Sequence, residues 1–233
     1  MRYRAVIFDM DGTLVDSLTT YQSVFNSAIA KFGLPPVKLR PLADKLNDGL
    51  NLEQIIVSFF PDHNDPEFLA ACHKEVIATF RELTEDKTPL LPGVPQVLEA
   101  LSSKGFKLGI ATGRTTPSDR VVLWLEKVGI SSFFGAVVTS ADVAERKPAP
   151  DCILECARRL GVSASECLVV GDSTADIGAA KAAGAGIVAV LTGVAGKAIL
   201  SDHDPLAVLE DLSELVAFLE LDGQDMIVVE EPQ

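Results

Sequence analysis

Positive charge is scarce in this chain, which carries 20 Lys and Arg against 33 Asp and Glu and has a formal net charge of −13. Because no basic stripe is available to neutralise a phosphate backbone, we do not expect a nucleic-acid polymer as its partner. Long apolar runs are also missing, and none reaches the roughly 20 residues that a transmembrane helix needs. Residues 1–4 lead into a short strand and then acids, unlike a signal peptide. We therefore expect a cytoplasmic protein that does not act at a membrane.

Cysteine is equally sparse, and its spacing favours neither a redox pair nor a zinc site. The four residues Cys72, Cys152, Cys156 and Cys167 form no CxxC motif and have no histidine pattern beside them. Cys152 and Cys156 lie four residues apart on a predicted helix, so a metal pair stays open as an alternative. The composition favours small buried thiols in a reducing cytoplasm.

Apolar residues are plentiful, at 48% of 233 residues, which is enough for one large domain or two unequal ones. From about residue 90 onward, short β-rich runs alternate with helical patterns that often begin at Pro and end near Gly. With a first strand at 4–8, the predicted strands are 107–111, 136–139, 167–170 and 186–190, and the predicted helices are 92–104, 117–128, 150–160, 174–183 and 211–220. This alternation predicts an α/β fold with a parallel sheet.

The stretch from residue 16 to residue 88 lacks this alternation. It shows four amphipathic helical patterns, at 17–32, 38–46, 50–60 and 66–83. We therefore predict an all-helical domain of residues 16–88, inserted into a core made of residues 1–15 and 89–233. For the acidic segment 224–233 two alternatives stay open, a weak edge strand at 226–229 or a frayed end.

Two carboxylates follow directly on the first strand, in the sequence Asp9-Met10-Asp11-Gly12-Thr13. In open α/β sheets ligands bind just beyond the carboxyl ends of the strands. Carboxylates this close repel each other unless a cation lies between them, and Mg²⁺ is the hard, oxygen-seeking ion that suits such a site. The alternative is that both acids only cap a helix or solvate a turn.

Polar residues also follow the later strands. Thr112, Gly113 and Arg114 follow the second predicted strand, Lys147 lies in the loop after the third, and Asp172 and Asp176 come after the fourth. Carboxylates can supply a nucleophile and metal ligands, while the hydroxyl, backbone N–H groups and lysine can bind phosphate oxygens. Because phosphoryl transfer needs mainly positioning and charge neutralisation, this set is chemically sufficient for it.

The order of these motifs closely resembles the haloacid dehalogenase superfamily, in its phosphoglycolate phosphatase-like branch with a helical C1-type cap. The resemblance covers about residues 4 to 219, and its motifs are Asp9-Met10-Asp11-Gly12-Thr13-Leu14-Val15-Asp16-Ser17, Thr112, Lys147-Pro148 and the segment from Gly171-Asp172 through Asp176 to Ala180. It implies a Rossmann-like parallel sheet with an inserted helical cap, and an enzyme that hydrolyses phosphoric monoesters.

The resemblance also implies a role for each site residue. Asp9 would be the nucleophile, Asp11 the general acid and base, and Lys147 the cation that steadies the charge of Asp9 and the phosphate. Thr112 would hold a phosphate oxygen. Magnesium would be bound by Asp9, Asp172 and the backbone carbonyl of Asp11. Asp176 would bind it through a water molecule or would hold the direct ligands without contacting the ion.

One departure from the family pattern concerns the residues after Thr112, where relatives usually carry Asn and this chain has Gly113-Arg114. Arg114 is a candidate for a phosphate or a substrate carboxylate because its planar fork suits either, with a surface arginine as the alternative. For Lys147 the alternative is a solvated loop lysine, and for Asp176 it is a helix cap or an ion pair. The segment 192–198 fails the spacing of a phosphate-binding GxxxxGK[ST] loop, and we reject that reading.

We therefore predict a magnesium-dependent phosphatase that acts on a small metabolite such as phosphoglycolate, a sugar phosphate or a nucleotide, through an aspartyl-phosphate intermediate. A phosphomutase of the β-phosphoglucomutase type and a non-catalytic, receiver-like switch are the alternatives. In a receiver the acid pair precedes a separate phosphoacceptor, and a helical insertion has no use there, whereas in an enzyme it can close over substrate. The sequence leaves the oligomeric state open.

Overall fold

The computed structural model describes residues 3–47, 50–84 and 88–224. Its strands are β1 (Ala5–Phe8), β2 (Lys107–Thr112), β3 (Phe134–Thr139), β4 (Cys167–Gly171), β5 (Gly186–Val190) and β6 (Ala207–Leu209). Its helices are α1 (Ser17–Ala30), α2 (Leu39–Asn47), α3 (Leu52–Phe59), α4 (Pro66–Thr84), α5 (Val94–Ser103), α6 (Ser118–Lys127), α7 (Asp151–Leu160), α8 (Thr174–Ala183), α9 (Lys197–Asp202) and α10 (Leu215–Gln224).

The six strands form one parallel sheet in the order β3-β2-β1-β4-β5-β6. Strand β1 lies in the middle, and its last residue Phe8 is in register with Ile110 of β2 and Val170 of β4. The chain runs outward from β1 to β3 on one side and then returns to build β4 to β6 on the other. This reversal opens a crevice between the carboxyl ends of β1 and β4, where ligands bind in such sheets.

Both faces of the sheet are buried, which explains why its strands read as continuous apolar runs. In β1, Val6 and Phe8 join a core that includes Leu98 of α5 and Leu125 of α6. The alternate residues of β1 point to the opposite face, where a second core includes residues of α7 and α8. The buried sheet thus holds the residues that follow each strand at one rigid edge.

Helices α1 to α4 form a separate block with an apolar core of their own, which contains Phe25, Ile29, Leu42, Ile55, Ile56 and Val76. The two chain segments that join this block to the sheet lie side by side, because the Asp16 N–H donates to the Pro89 carbonyl at 2.9 Å and the Leu91 N–H to the Leu14 carbonyl at 3.0 Å. The division of the chain into a core of residues 1–15 and 89–233 and an inserted domain of residues 16–88 stays a prediction.

The predicted strands and helices are present and differ from the observed ones mainly at their ends, while two short elements were missed. Helix α9 and strand β6 are too short to give a periodic pattern, and the predicted helix at 211–220 begins as a 3₁₀ turn (Leu212–Glu214) before α10. The alternatives for residues 226–229 fall outside the described residues. Within the part of the chain that is described, no helix is long and apolar enough to cross a membrane.

Candidate active site

The turn after β1 places Asp9 at the centre of the sheet edge. The Asp9 N–H donates to the carbonyl of Val170 at 2.8 Å, which extends the pairing of β1 with β4 by one residue. The chain then folds back tightly, since the N–H groups of Leu14 and Val15 donate to the Met10 carbonyl at 2.9 and 3.0 Å. Gly12 allows this turn because its φ is +79°, a conformation that glycine adopts without strain.

Three buried carboxylates meet at this edge. Asp9, Asp172 and Asp176 each offer an oxygen, and these oxygens lie within 4.8 Å of one another. Burial raises the pKa of Asp9 to about 7, with Lys147 opposing the shift and the charges of Asp176 and Asp11 adding to it. Burial, together with the charges of Asp176 and Asp9, raises the pKa of Asp172 well above its usual value. Three buried carboxylates are costly to ionise together without a cation, and they offer only oxygen ligands. This combination fits a hard divalent cation.

Lys147 is the cation of this cluster. Its Nζ lies 2.8 Å from Asp9 Oδ1 and 2.6 Å from Asp176 Oδ1, and only 6% of its side chain is exposed. The two carboxylates outweigh the effect of burial and raise the pKa of Lys147, so the ammonium stays charged. The alternative of a solvated loop lysine is therefore wrong, because the loop between β3 and α7 brings this side chain inside.

Asp176 caps helix α8, forms an ion pair with Lys147 and lies in the three-carboxylate cluster. It is the third residue of α8 and forms a capping box with Ser173, whose N–H and hydroxyl donate to Asp176 Oδ2 at 3.1 and 2.5 Å. Its other oxygen accepts from Lys147. Gly171 permits this approach, because a Cβ there would lie 2.5 Å from Asp176 Cβ. Helix capping thus fixes the carboxylate that faces Asp9 and Asp172.

Asp11 and Arg114 form a planar pair that the sequence did not predict. Arg114 Nε and Nη2 donate to Asp11 Oδ2 and Oδ1, each at 2.7 Å, and both side chains are about a third exposed. The Asp11 carboxylate is therefore directed to Arg114, outside the three-carboxylate cluster. The alternative of a surface arginine is therefore wrong, because Arg114 binds the Asp11 carboxylate inside the cavity.

The loop after β2 is held by a residue that the sequence analysis missed. Thr112 is buried, and its Oγ1 accepts from the Arg114 N–H at 3.2 Å. Ser140, which follows β3, donates its hydroxyl to the carbonyls of Gly113 and Arg114 at 3.0 and 2.8 Å. The sequence could have indicated Ser140 by its position directly after β3, the strand next to β2. Ser140 therefore steadies the loop in which Thr112, Gly113 and Arg114 were expected to bind substrate.

A cavity of about 340 Å³ joins these parts, and it is lined by all eight residues singled out from the sequence: Asp9, Asp11, Thr112, Gly113, Arg114, Lys147, Asp172 and Asp176. The lining also includes residues to which the sequence analysis gave no site role, among them Ser17 and Leu18 of α1, Arg146, Ser173, Gly193 and Val194. Arg146 could have been found as the neighbour of Lys147, and Gly193 from its place after β5.

Comparisons with known proteins point to one family over most of the chain. Residues 6–190 match the family described as haloacid dehalogenase-like hydrolase. The phosphoglycolate phosphatase of Xanthomonas campestris pv. campestris (strain 8004) is 35% identical, over 89% of this chain and 90% of that protein. The phosphoglycolate phosphatase of Escherichia coli (strain K12) is 30% identical, over 94% and 93%.

Solved structures agree with this likeness. A HAD family hydrolase from Deinococcus radiodurans R1, solved with bound phosphate and sodium, is 27% identical with a TM-score of 0.79, covering 95% of this chain and 97% of that one. A Thermotoga maritima protein assigned as a beta-phosphoglucomutase is 28% identical with a TM-score of 0.69, covering 94% and 99%. The fold of this chain is therefore shared with these solved structures over most of its length.

Proposed function

Because the chain belongs to the haloacid dehalogenase-like hydrolase family, we propose that it is a magnesium-dependent phosphatase that hydrolyses a small phosphorylated metabolite through an aspartyl-phosphate on Asp9. Phosphoglycolate, a sugar phosphate and a nucleotide are the substrate classes in view, and relatives named phosphoglycolate phosphatase favour the first. The expected location is the cytoplasm, where the free cysteines stay reduced.

The observation that carries the proposal is the position of Asp9 in the cavity lining, beside Lys147 and within 4.8 Å of the carboxylates of Asp172 and Asp176. A carboxylate attacks a phosphate ester poorly while its charge repels the incoming phosphate. Lys147 reduces this repulsion at 2.8 Å from Asp9 Oδ1. Magnesium, held by Asp9, Asp172 and Asp176 with the Asp11 carbonyl, would neutralise further charge on the phosphate oxygens.

In the first step that we propose, an oxygen of Asp9 bonds to phosphorus as the ester P–O bond breaks. The leaving oxygen takes a proton from Asp11, which acts as general acid. In the second step a water oxygen bonds to phosphorus while Asp11 takes back a proton from that water. The bond between phosphorus and Asp9 then breaks, which releases inorganic phosphate and restores the carboxylate.

Asp11 must leave Arg114 before it can protonate a leaving group. Arg114 holds both oxygens of Asp11, and an incoming phosphate or substrate carboxylate offers the same guanidinium a competing anion. We propose that substrate takes over Arg114 and so frees Asp11 to turn toward the ester oxygen. Thr112 and the backbone at Gly113 are the proposed contacts for the phosphate oxygens.

A phosphomutase is the second candidate, since the Thermotoga maritima structure shares the fold at 28% identity. In this chain Gly171 precedes Asp172, where the mutase group is expected to carry Glu, and this favours a phosphatase. A mutase would interconvert sugar phosphate isomers when primed with a sugar bisphosphate and would release little phosphate. The receiver-like switch has no support from the family match.

The test is phosphate release from a panel of small phosphate esters, with magnesium and with a chelator. We expect metal-dependent release that is lost in Asp9→Asn and kept in Asp119→Asn, a control at an exposed position on α6. Release by Asp9→Asn at the wild-type rate would contradict the proposal. Isomer interconversion without net release would replace it with the mutase reading.

A further inference from the structure

The loop between β5 and α9 lies against the acid cluster, although its sequence matched no phosphate-binding motif. The loop comprises residues 191–196, of which Gly193 and Val194 line the cavity. Because β5 is next to β4 in the sheet, the carboxyl end of β5 emerges beside the residues that follow β4. The loop contacts Asp172 through Gly193 and Val194.

Asp172 is nearly fully buried, with 4% of its surface exposed, and its two oxygens are held by two different loops. The Val194 N–H donates to Oδ2 at 3.1 Å, and the Thr13 hydroxyl donates to Oδ1 at 3.4 Å. The carboxylate therefore has a fixed rotation before any cation binds it.

Gly193 lies so close to Asp172 that a side chain has no room. A Cβ on Gly193 would collide with Oδ2, Cγ and Cβ of Asp172. The φ of Gly193 is outside the left-handed range, so its backbone would accept other residues and only the contact with Asp172 calls for glycine. Gly12 approaches the same carboxylate, since a Cβ there would lie 2.6 Å from Asp172 Oδ2 and 2.9 Å from Gly193 Cα.

Thr192 ties this loop to the turn after β1. Its hydroxyl donates to the Gly12 carbonyl at 2.5 Å. Gly12 directly follows Asp11, whose own carbonyl is a proposed magnesium ligand. The loop thus contacts both strand ends that supply ligands, at Asp172 through Val194 and at the β1 turn through Thr192.

We infer that the segment 192–194 is a positioning element for the metal site: Gly193 and Val194 fix the rotation of the Asp172 carboxylate, and Thr192 fixes its distance from the β1 turn. This inference rests on the proposed magnesium-dependent function. Partners that orient a metal ligand commonly change metal affinity by about 10- to 100-fold when they are removed. Thr192 and Gly193 are positioning residues here, since they act through Asp172 and the turn.

The test is isothermal titration of the full chain with magnesium chloride alone, without substrate, for the wild type, Thr192→Val, Thr192→Ser and Gly193→Ala. We expect the magnesium Kd to rise about tenfold in Thr192→Val and by about 10- to 100-fold in Gly193→Ala. Thr192→Ser, which keeps the hydroxyl, should restore a Kd close to the wild-type value. The metal-free Tm of each variant is measured in parallel, and if Gly193→Ala does not fold, the two Thr192 variants decide.

Two matched controls lie away from the site. Thr79→Val removes a buried hydroxyl that donates to Glu75 in α4 at 3.1 Å. Gly135→Ala adds a methyl in β3 that meets only the flexible end of Leu160, at 3.1 Å, and the more distant Leu108 carbonyl. Both should bind magnesium as the wild type does, which separates the effect of the loop from a general loss of packing.

Asp172→Asn distinguishes failure of the inference from failure of the proposed function. If the wild type binds magnesium, Asp172→Asn does not, and Thr192→Val keeps the wild-type Kd, the positioning role is overturned while the metal site stands. A lower metal-free Tm in Thr192→Val with an unchanged Kd also overturns it, because the loop is then only structural. If wild type and Asp172→Asn give the same titration, the proposed magnesium site and the inference fall together.

Discussion

The sheet core and the helical block are built from different kinds of contact. At the sheet edge, buried charges are paired over long sequence distances, as with Lys147, 6% exposed, between Asp9 and Asp176. In the helical block the core is apolar. The described ion pairs of this block lie at the surface, such as the pair of Lys31 with Glu75, in which the side chain of Lys31 is 56% exposed. We propose that the chemistry takes place at the sheet edge and that the block serves mainly as a cover, since it contributes Ser17 and Leu18 to the cavity lining.

The largest effect is expected from breaking the buried charge network. Lys147→Met leaves Asp9 and Asp176 without their cation, so the metal-free protein should lose about 3–5 kcal/mol of its free energy of unfolding. Its turnover should fall by roughly a thousandfold, because Asp9 loses its partner. Urea unfolding and phosphate release measure the two effects.

Lys31→Met in the helical block is the matched control. Its pair with Glu75 is exposed and screened by solvent, so stability and turnover should stay close to the wild type. An equal loss in both variants would remove the distinction between the two regions.

The pH dependence of the metal-free protein should come from the sheet edge as well. The pKa of Asp9 is about 7 in the folded chain, above its unfolded value near 4. A raised folded pKa means that stability is fully present below about pH 4 and is lost as the pH rises through about 7. The free energy of unfolding should therefore fall over this range by up to about 1.4 kcal/mol per pH unit for each such proton.

Asp9→Asn should flatten this profile, because asparagine carries no charge to bury. Magnesium should do the same in the wild type, because a cation would offset the cost of burying the Asp9 charge. Denaturant unfolding between pH 4 and 8 measures it. A metal-free wild type that gains stability from pH 4 to pH 7 would contradict the assigned burial of Asp9.

A smaller effect is expected at the planar pair. Arg114→Lys keeps the charge but cannot hold both oxygens of Asp11 in one plane, nor bind an anion in two places. We expect kcat/KM to fall by roughly tenfold, mostly through a higher KM, with little change in stability. Steady-state kinetics beside Arg120→Lys, an exposed arginine of α6, is the check, and equal kinetics for both variants would exclude a substrate role for Arg114.

The smallest effect is expected in the helical block. Arg40 of α2 pairs with Asp44 at 3.0 Å, its side chain is 60% exposed, and it is not among the residues that line the cavity. Arg40→Ala should change kcat/KM by about twofold or less. A tenfold or greater loss would give the helical block a direct part in substrate binding and would overturn the contrast drawn above.

The fold was predictable because the apolar runs that form β1, β2, β4 and β5 are separated by helical patterns, and each run is buried in one sheet. The site was predictable because Asp9, Lys147 and Asp172 follow strands that must end at the same edge. The pair of Asp11 with Arg114 was not, since it joins residues 103 apart and depends on side-chain direction. The loop of Thr192 and Gly193 was missed because close backbone approach leaves no periodic signal.

The central claim, that Asp9 accepts the phosphoryl group, is tested most directly by trapping the intermediate. With p-nitrophenyl phosphate and magnesium, Asp11→Asn should still form the aspartyl-phosphate, because nitrophenolate leaves without a proton, and should hydrolyse it slowly. Mass spectrometry of the quenched protein should then find the phosphoryl group on the peptide that contains Asp9. A stoichiometric burst of nitrophenolate with the phosphoryl group elsewhere, or turnover with no covalent adduct, would contradict the account.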